Sequence, residues 1–372
     1  MKICKKCIQP DTRPGIFFDQ DICGACLWEQ EKNKIDWDLR RKELVKISDW
    51  AKNTKKGNYD CAIGVSGGKD STKQAIIARD ELGLRCLLVN NEPENITDIG
   101  KQNIENLKQL GFDVISIRPN PKIMKKLIRR DFYKNLNPVK ITEYSLWAST
   151  YIIAEKFEIP LIMQGENPGL TLGTSLTGVG KDSNALKANE LQTLSTNWEE
   201  YEDTDEISKS DLFLYHYDRS KLEKNQIQGI WLQYYLKDWS QRGNAEFSKK
   251  YGFKHRENFD PSSIGTYFPY AQLDSDLVPV NQMLKFIKFG FGQCLDHACY
   301  DLRESRISRK EAIDLVKKYD GKCSTNYIKE FCKYIDISLD EFWKVVNSFR
   351  GPMWKKTNSG EWKNNFWEQL TS

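Results

Sequence analysis

The chain has 372 residues, 39% of them hydrophobic, and its 56 basic and 52 acidic residues give a net charge of +4. This length is enough for one large core or two modest ones. The small charge excess does not favour a nucleic-acid partner, and no run approaches the ~20 apolar residues of a membrane span. We therefore expect a protein that binds neither nucleic acid nor a membrane.

Four of the ten cysteines form two Cys-x-x-Cys pairs near the start, Cys4/Cys7 and Cys23/Cys26. Four thiolates at this spacing can close a tetrahedral zinc site around a short loop that has too little core of its own. The spacing predicts a zinc ribbon over residues 1–35, with a redox dithiol or an iron–sulfur cluster as alternatives. The other cysteines are scattered, and no signal peptide opens the chain, so we expect a reducing cytoplasm.

Residues 36–57 read as a charged amphipathic connector helix. From residue 58 the pattern alternates between short apolar runs and helical periodicity, which predicts an α/β domain over 58–180 with a doubly wound parallel sheet. The predicted strands are 60–65, 85–90, 113–117 and 160–163, and the predicted helices are 71–82, 98–110 and 144–157.

The first predicted strand is followed by a glycine-rich turn and a helix start. Two glycines let the backbone approach an anion, and free N–H groups at the helix N-terminus point towards it. The turn is not a Walker motif, which requires four residues between its first Gly and Gly-Lys-Ser/Thr. It resembles the PP-loop of the ATP-pyrophosphatase superfamily (HUP-like α/β domains), and its residues are Ser66, Gly67, Gly68, Lys69, Asp70 and Ser71.

In a doubly wound sheet, ligands bind at the carboxyl ends of the strands. We therefore expect the PP-loop, Asn90 with its neighbours, and Gly165-Glu166-Asn167 to meet in one crevice. Residues 168–180, which contain four glycines, read either as a mobile loop over this crevice or as a linker.

Residues 181–372 are predicted to form a mostly helical region that binds substrate or a partner. The aromatic residues from Tyr215 to Trp239 read as core, with a buried helix over 230–239. Further on, Lys288-Phe-Gly-Phe-Gly292 precedes a helix that carries His297 and Asp301 on one face. Arg303 follows at a position suited to binding an anionic group. Helices over 309–319 and within 325–350 complete the region.

Together these motifs resemble the N-acetyl sugar amidotransferases, the PseA/WbpG-type proteins of surface-polysaccharide (O-antigen) and flagellar nonulosonic-acid (pseudaminic or legionaminic) pathways. The similarity covers the ribbon, Val-Ser-Gly-Gly-Lys-Asp-Ser, Gly-Glu-Asn-Pro at 165–168 and the segment 288–303. The resemblance implies ATP-dependent conversion of a sugar acetamido group to an acetamidino group through an O-adenylyl imidate, with release of AMP and pyrophosphate.

The residues suit this chemistry. Lys69, the PP-loop hydroxyls and Mg²⁺ would spread the charge of the departing pyrophosphate, and Asp70 would hold the metal or cap the helix. Glu166 would bind Mg²⁺ or take a proton from the attacking nitrogen, with His297 and Asp301 as second candidates for proton transfer. Asn167 and Arg303 are the candidates for binding an N-acetylated acidic sugar or sugar nucleotide.

The chain contains neither a terminal cysteine nucleophile nor a Gly-x-Cys-x-Gly elbow, so ammonia is expected from another subunit. The resemblance implies a glutaminase partner and a cyclase-like partner. Two other functions stay open: a PP-loop tRNA thiolase, which would need a reactive cysteine such as Cys294 or Cys299, and a nucleotide-binding zinc-ribbon adaptor without catalysis.

Overall fold

The structure is a computed structural model that describes residues 2–174, 183–186, 198–202, 207–366 and 370. Its β-strands are β1 (Phe18–Asp19), β2 (Ile22–Cys23), β3 (Cys61–Gly64), β4 (Cys86–Asn91), β5 (Asp113–Ile117), β6 (Leu161–Gln164), β7 (Gln228–Trp231), β8 (Trp354–Lys356) and β9 (Trp362–Asn364). Its α-helices are α1 (Gly24–Glu31), α2 (Trp37–Thr54), α3 (Lys69–Ile76), α4 (Asp98–Gln109), α5 (Pro121–Asn135), α6 (Lys140–Lys156), α7 (Pro168–Thr171), α8 (Arg219–Lys224), α9 (Gln241–Lys249), α10 (Pro261–Ile264), α11 (Val278–Phe289), α12 (Gln293–Arg303), α13 (Arg309–Tyr319), α14 (Thr325–Tyr334) and α15 (Leu339–Ser348).

The central sheet has five parallel strands in the order β5-β4-β3-β6-β7. From β3 the chain adds β4 and β5 on one side, then returns to add β6 and β7 on the other. The direction of winding therefore reverses between β3 and β6. In such sheets the crevice at the reversal is the usual ligand site.

Successive residues of β3 point into two different cores, as expected for a strand covered on both faces. Cys61 and Ile63 pack in a core with residues of α2, α3 and α4, whereas Ala62 packs with residues of α6 and α8. The predicted doubly wound parallel sheet is therefore confirmed.

The strands and helices predicted between 58 and 164 are present, with boundaries shifted by a few residues. Helix α3 begins at Lys69 and continues as a π-helical turn, Ile77–Glu81. Helix α5 is additional: Asn120 caps its N-terminus and Pro121 occupies its first turn. Residues 175–180 of the expected glycine-rich loop lie outside the described residues.

The predicted helix over 230–239 is wrong. Residues Gln228–Trp231 form β7, and a 3₁₀ turn, Leu232–Tyr235, follows. Gly229 permits this edge strand because a Cβ there would lie 2.9 Å from Cδ2 of Leu186. The prediction that the aromatic residues of this stretch are core is confirmed for Trp231, Tyr235 and Trp239, which are at most 5% exposed.

The cysteine-rich N-terminal segment shares a hydrophobic core with helices of the last third of the chain. Cys4, Cys7, Cys23 and Cys26 pack in one cluster with buried residues of α12 and α13. Arg13 forms a buried ion pair with Asp296 of α12, which also accepts a 2.8 Å hydrogen bond from Lys285 of α11. The two ends of the chain therefore form one structural unit.

All ten cysteines lie in the described part of the chain, and none of them forms a disulfide. Within the same described ranges, every helix is too short or too polar to cross a bilayer.

Candidate active site

The glycine-rich turn links β3 to α3 in a conformation that requires glycine. Gly67 has φ of +73°, and a Cβ there would lie 2.8 Å from the Cβ of Asn103. Gly68 is the N-cap of α3, and its carbonyl accepts hydrogen bonds from Thr72 N–H and the Ser71 hydroxyl. The first backbone N–H groups of α3 are left for an anion.

A cavity of about 370 Å³ opens where the sheet reverses its winding, between the carboxyl ends of β3 and β6. A cavity of this size falls within the usual range for small-molecule sites. Its wall combines the PP-loop, the end of β6 and three segments from later in the chain. The lining residues of this main cavity are Gly64, Ser66, Gly68–Ser71, Gln74, Leu146, Trp147, Gln164–Glu166, Gln241, Phe268, Tyr270–Asp274, Gln293, His297 and Tyr300.

Lys69 and Asp70 are held in place at the floor of the main cavity. The Lys69 ammonium lies 2.6 Å from a carboxylate oxygen of Asp70, and Asn244 of α9 donates a 2.7 Å hydrogen bond to the other oxygen. The Lys69 carbonyl accepts a 2.6 Å hydrogen bond from Ser248. An anion entering this cavity would find a fixed positive charge beside a helix N-terminus.

Glu166 follows β6 and faces the PP-loop across the cavity. Burial and the nearby Asp70 carboxylate raise the pKa of Glu166 to about 7, although Lys69 and hydrogen bonds from Thr171 and Gln241 oppose that shift. A carboxyl group with a pKa near neutrality can accept or donate a proton under physiological conditions.

His297 lies in the wall of the main cavity, stacked on Phe268 with ring centroids 4.4 Å apart. Its Nδ1 lies 2.6 Å from the Thr266 hydroxyl. Burial lowers the pKa of His297 to about 3, despite the nearby carboxylate of Asp296. The imidazole is therefore neutral near pH 7 and offers a hydrogen bond rather than a positive charge.

Asp301 does not reach the main cavity. Its two carboxylate oxygens accept hydrogen bonds of 2.7 and 2.6 Å from Arg242, and Tyr267 donates a third at 2.7 Å. All these donors come from neighbouring packed elements. Asp301 therefore lies outside the cavity lining and is held by packed neighbours, and its expected part in proton transfer stays a prediction.

Four further predicted residues also lie outside the lining of the main cavity. Asn90 donates to the Ser116 hydroxyl on β5, one strand away from the reversal point. Asn167 caps the N-terminus of α7, because its side-chain oxygen accepts a hydrogen bond from the Gly169 N–H. Gly67 forms the bend of the PP-loop through its positive φ. Arg303 donates to the Thr171 carbonyl at 3.2 Å and lines a separate, smaller cavity.

Sequence comparison addresses the last third of the chain. Residues 247–370 match the family described as "LPS biosynthesis protein WbpG-like, C-terminal domain". These residues are similar to that family, and we refer to them below as the WbpG-like domain. The resemblance seen in the sequence is confirmed for these residues. A separate comparison with curated proteins found no match to the chain.

Similar solved structures include three proteins of low sequence identity. One is NMN synthetase from Francisella tularensis (15% identity, 81% of this chain and 94% of that chain, TM-score 0.33). The second is NAD+ synthetase from Burkholderia pseudomallei (11% identity, covering 62% of this chain and 94% of that chain, TM-score 0.29). The third is a "predicted subunit of tRNA methyltransferase" from Methanocaldococcus jannaschii (18% identity, covering 51% of this chain and 75% of that chain, TM-score 0.29).

The WbpG-like domain supplies one wall of the main cavity through the segment Phe268–Asp274 and helix α12. Gln293, His297 and Tyr300 are spaced by four and three residues, so they lie on one face of α12. Sequence analysis missed Gln293 and Tyr300, although the helical period around His297 was the signal that could have found them. No local pattern pointed to Gln74, Gln164 or Gln241.

The Gly-x-Gly turn of the WbpG-like domain bends the chain between α11 and α12. Gly290 ends α11 with φ of +81°. The carboxylate of Asp320 accepts hydrogen bonds from the N–H groups of Gly292, Cys294 and Leu295 at 2.7–3.3 Å. The N-terminus of α12 is therefore already capped by the protein, and this turn is not a second phosphate site.

The four N-terminal cysteines form a candidate metal centre that packs against the WbpG-like domain. Their sulfur atoms all lie within 4.8 Å of one another, with Cys4–Cys26 at 3.8 Å and Cys7–Cys23 at 3.7 Å. A Zn–S bond of about 2.3 Å in tetrahedral geometry places neighbouring sulfurs about 3.8 Å apart. The four thiols fit a tetrahedral metal ion.

Proposed function

We propose that this protein is an ATP-dependent amidotransferase that converts a sugar acetamido group to an acetamidino group and releases AMP and pyrophosphate. The observation that carries the proposal is the composition of the main cavity. One cavity combines the PP-loop with Glu166 and, from the WbpG-like domain, His297 and Tyr300. A nucleotide phosphate and a second substrate would meet there.

In the first step, the acetamido oxygen attacks the α-phosphorus of ATP and the bond to pyrophosphate breaks. Amide oxygen is a poor leaving group, and this step turns it into part of AMP. The role of Lys69 is to neutralise charge on the departing pyrophosphate, together with the N–H groups at the start of α3. Asn244 keeps Asp70 in place beside Lys69.

In the second step, ammonia attacks the imidate carbon, the C–O bond breaks, and AMP leaves with the oxygen and the electron pair. The attacking nitrogen must lose a proton. Glu166 is our candidate acceptor, because it lies in the cavity and its pKa of about 7 suits transfer near neutral pH. His297, which is neutral, would hold a substrate group by a hydrogen bond.

Phosphate transfer of this kind commonly uses Mg²⁺. The residues fit this ion, because Mg²⁺ is usually held by one or two carboxylates together with substrate phosphates, and the Asp70 carboxylate faces the main cavity beside Lys69. When bound, Mg²⁺ would supply additional positive charge near the phosphates.

We assign zinc to the four-cysteine centre. All four ligand positions are filled by protein thiols, and a closed site of this kind is structural. Zinc there would fix the N-terminal segment, whose Arg13 pairs with Asp296 one residue before His297. The metal would act on the active site only by holding α12 in position.

The substrate class proposed is an N-acetylated acidic sugar, free or nucleotide-linked, in a surface-polysaccharide or nonulosonic-acid pathway. Ammonia would come from a glutaminase subunit acting with a cyclase-like subunit. Arg303 is not part of the main cavity, so the anionic group of the sugar would need another partner there.

A tRNA thiolase is less well supported, because that reaction needs a reactive thiol near the adenylylated base. None of the ten cysteines, all described, lines the main cavity, and Cys294 and Cys299 are at most 1% exposed. A non-catalytic adaptor is also less well supported, because binding a nucleotide without catalysis would not require Glu166 and Lys69 to face a common cavity.

The test is pyrophosphate release from Mg²⁺-ATP and ammonium across a panel of N-acetylated acidic sugars, with mass spectrometry of the sugar. We expect sugar-dependent pyrophosphate and a product lighter by about one mass unit, as oxygen is replaced by NH. Exposed Lys101→Met serves as the control for Lys69→Met, which should lower the rate about 10²–10³-fold. Pyrophosphate that appears only with tRNA would favour the thiolase.

A further inference from the structure

One carboxylate in the lining of the main cavity has no role in the reaction proposed above. Asp70, Glu166 and Asp274 all line this cavity. Asp70 pairs with Lys69, and Glu166 is our candidate proton acceptor. Asp274, in the WbpG-like domain, forms no ion pair within the described part of the chain. Its carboxylate is therefore available to a ligand.

The Asp274 carboxylate lies inside the protein but is not enclosed by it. Burial raises the pKa of Asp274, although the backbone N–H groups of Asp274 and Ser275 and the charge of Arg256 oppose the shift. Within the described ranges no side chain donates a hydrogen bond to this carboxylate, and its oxygens are not among the enclosed polar atoms that lack a partner. Because Asp274 lines the main cavity, its open side faces the space where substrates would bind.

The backbone of Asp274 is fixed against the start of α4. The Thr97 N–H donates a 3.1 Å hydrogen bond to the Asp274 carbonyl, and the Ser275 hydroxyl donates a 2.8 Å hydrogen bond to the Glu94 carbonyl. Gly100 of α4 packs so closely that a Cβ there would lie 3.0 Å from Cα of Asp274. The position of this carboxylate is therefore set before any ligand binds.

Helix α4 also relates the position of Asp274 to that of the PP-loop. Gly67 of the PP-loop lies against Asn103, where an added Cβ would be 2.8 Å from the Asn103 Cβ, whereas Asp274 lies against Gly100. Residues three apart in a helix have Cβ atoms about 5–6 Å apart. A ligand whose phosphate rests on the PP-loop would therefore bring a sugar ring next to that phosphate close to Asp274.

The Asp274 carboxylate suits a group that donates hydrogen bonds and carries no negative charge. A carboxylate only accepts hydrogen bonds when ionised, and it repels phosphate. Two neighbouring hydroxyl groups of a sugar ring match its two oxygens, and carboxylates bind ribose hydroxyls in dinucleotide sites.

We propose that Asp274 binds a pair of neighbouring hydroxyl groups on a sugar ring adjacent to the α-phosphate. This inference rests on the proposed function. In that reaction two rings lie next to the α-phosphorus, the ribose of ATP and the acetamido sugar, and both present hydroxyl groups.

The test compares Asp274→Ala with Asp276→Ala, which removes a carboxylate two residues further on and outside the cavity lining. Asp274→Asn removes one acceptor oxygen at constant shape and serves if Asp274→Ala folds poorly. Calorimetry gives the Kd of ATP, 2′-deoxy-ATP and 3′-deoxy-ATP in the absence of sugar. Pyrophosphate release with ammonium gives kcat/KM for a nucleotide-linked di-N-acetylated uronic acid and for a free nonulosonic acid.

The two sources of the hydroxyl pair give different results. If the ribose is bound, Asp274→Ala should weaken ATP binding about 10–100-fold and abolish the preference for ATP over the deoxy nucleotides. If the acetamido sugar is bound, ATP binding should stay unchanged while kcat/KM for the sugar falls by the same factor. Asp276→Ala should change neither quantity.

Wild-type values of both quantities in Asp274→Ala would overturn the inference. An equal loss of affinity for ATP and the two deoxy nucleotides, with unchanged kcat/KM for the sugar at saturating ATP, would also overturn it, because no hydroxyl would then act through Asp274. A wild-type protein that binds no ATP would instead overturn the proposed function, and the inference with it.

Discussion

Arg242 and Asp301 form a two-point ion pair that joins α9 to α12. The guanidinium donates hydrogen bonds of 2.7 and 2.6 Å to the two carboxylate oxygens, and Asp301 is 1% exposed. Gln241, next to Arg242, and Tyr300, next to Asp301, are the two residues that line both cavities. The ion pair thus fixes the segment in which the main cavity and the smaller cavity meet.

We predict that Asp301→Asn lowers the free energy of unfolding by about 3 kcal/mol, because it leaves Arg242 without its charged partner. The pH profile of the remaining activity should not shift, since Asp301 touches no reacting group. Urea unfolding checks the first result, with exposed Asp314→Asn on α13 as the control. A shifted pH profile together with an unchanged free energy of unfolding would instead indicate that Asp301 takes part in catalysis.

Glu166→Gln should separate the two chemical steps. The variant keeps the shape and hydrogen bonds of the side chain but cannot accept a proton. We expect the ammonia-dependent step to slow about 10²–10⁴-fold, with sugar-dependent pyrophosphate exchange retained. If exchange is lost as well, Glu166 acts in the first step, for example as a ligand of Mg²⁺.

The environment of His297 predicts a loss of stability in acid. In the unfolded chain this histidine takes up a proton near pH 6.5, whereas in the folded protein burial lowers its pKa to about 3. Between these values the unfolded state binds more protons, so stability falls as the pH falls, by up to about 1.4 kcal/mol per pH unit.

The stability of His297→Gln should therefore depend less on pH between 6.5 and 3 than that of the wild type. Exposed Gln102→Asn on α4 removes no titratable group, so it is the control and should keep the wild-type slope. Urea unfolding at a series of pH values gives both slopes. Equal slopes for the two variants would show that His297 is protonated in the folded protein.

The shared core of the N-terminal segment and α12 predicts that metal loss destabilises the active-site wall. Cys23→Ser should reduce bound zinc from one ion per chain to none and lower the unfolding free energy by several kcal/mol. Cys323→Ser, outside the metal cluster, should do neither. Elemental analysis and urea unfolding report the two effects, and full zinc occupancy in Cys23→Ser would contradict the assignment.

Much of the α/β fold could be predicted because its signals are local. Each strand of the sheet up to β6 is a short apolar run, and the PP-loop is defined by six consecutive residues. Strand β7 was missed because Gly229 interrupts a four-residue edge strand that depends on Leu186 for its packing. Sequence periodicity does not report such a contact.

The site was predicted only in part, because the order of strands in a sheet depends on pairing between distant segments and cannot be deduced from the sequence of any single strand. Glu166 follows β6, which lies next to β3, so it meets the PP-loop. Asn90 lies near the end of β4, on the other side of β3, and therefore falls outside the cavity. Asp301 shares a helix face with His297, but its partner Arg242 lies 59 residues away.

The proposed reaction is tested most sharply by following the oxygen atom of the acetamido group. A sugar that supports pyrophosphate release is labelled with ¹⁸O at the acetamido carbonyl and converted with ATP and ammonia, and the AMP is analysed by mass spectrometry. We predict that the AMP carries the label, because the sugar oxygen leaves as part of the phosphate. Unlabelled AMP, with ¹⁸O in water or retained in the sugar, would contradict it.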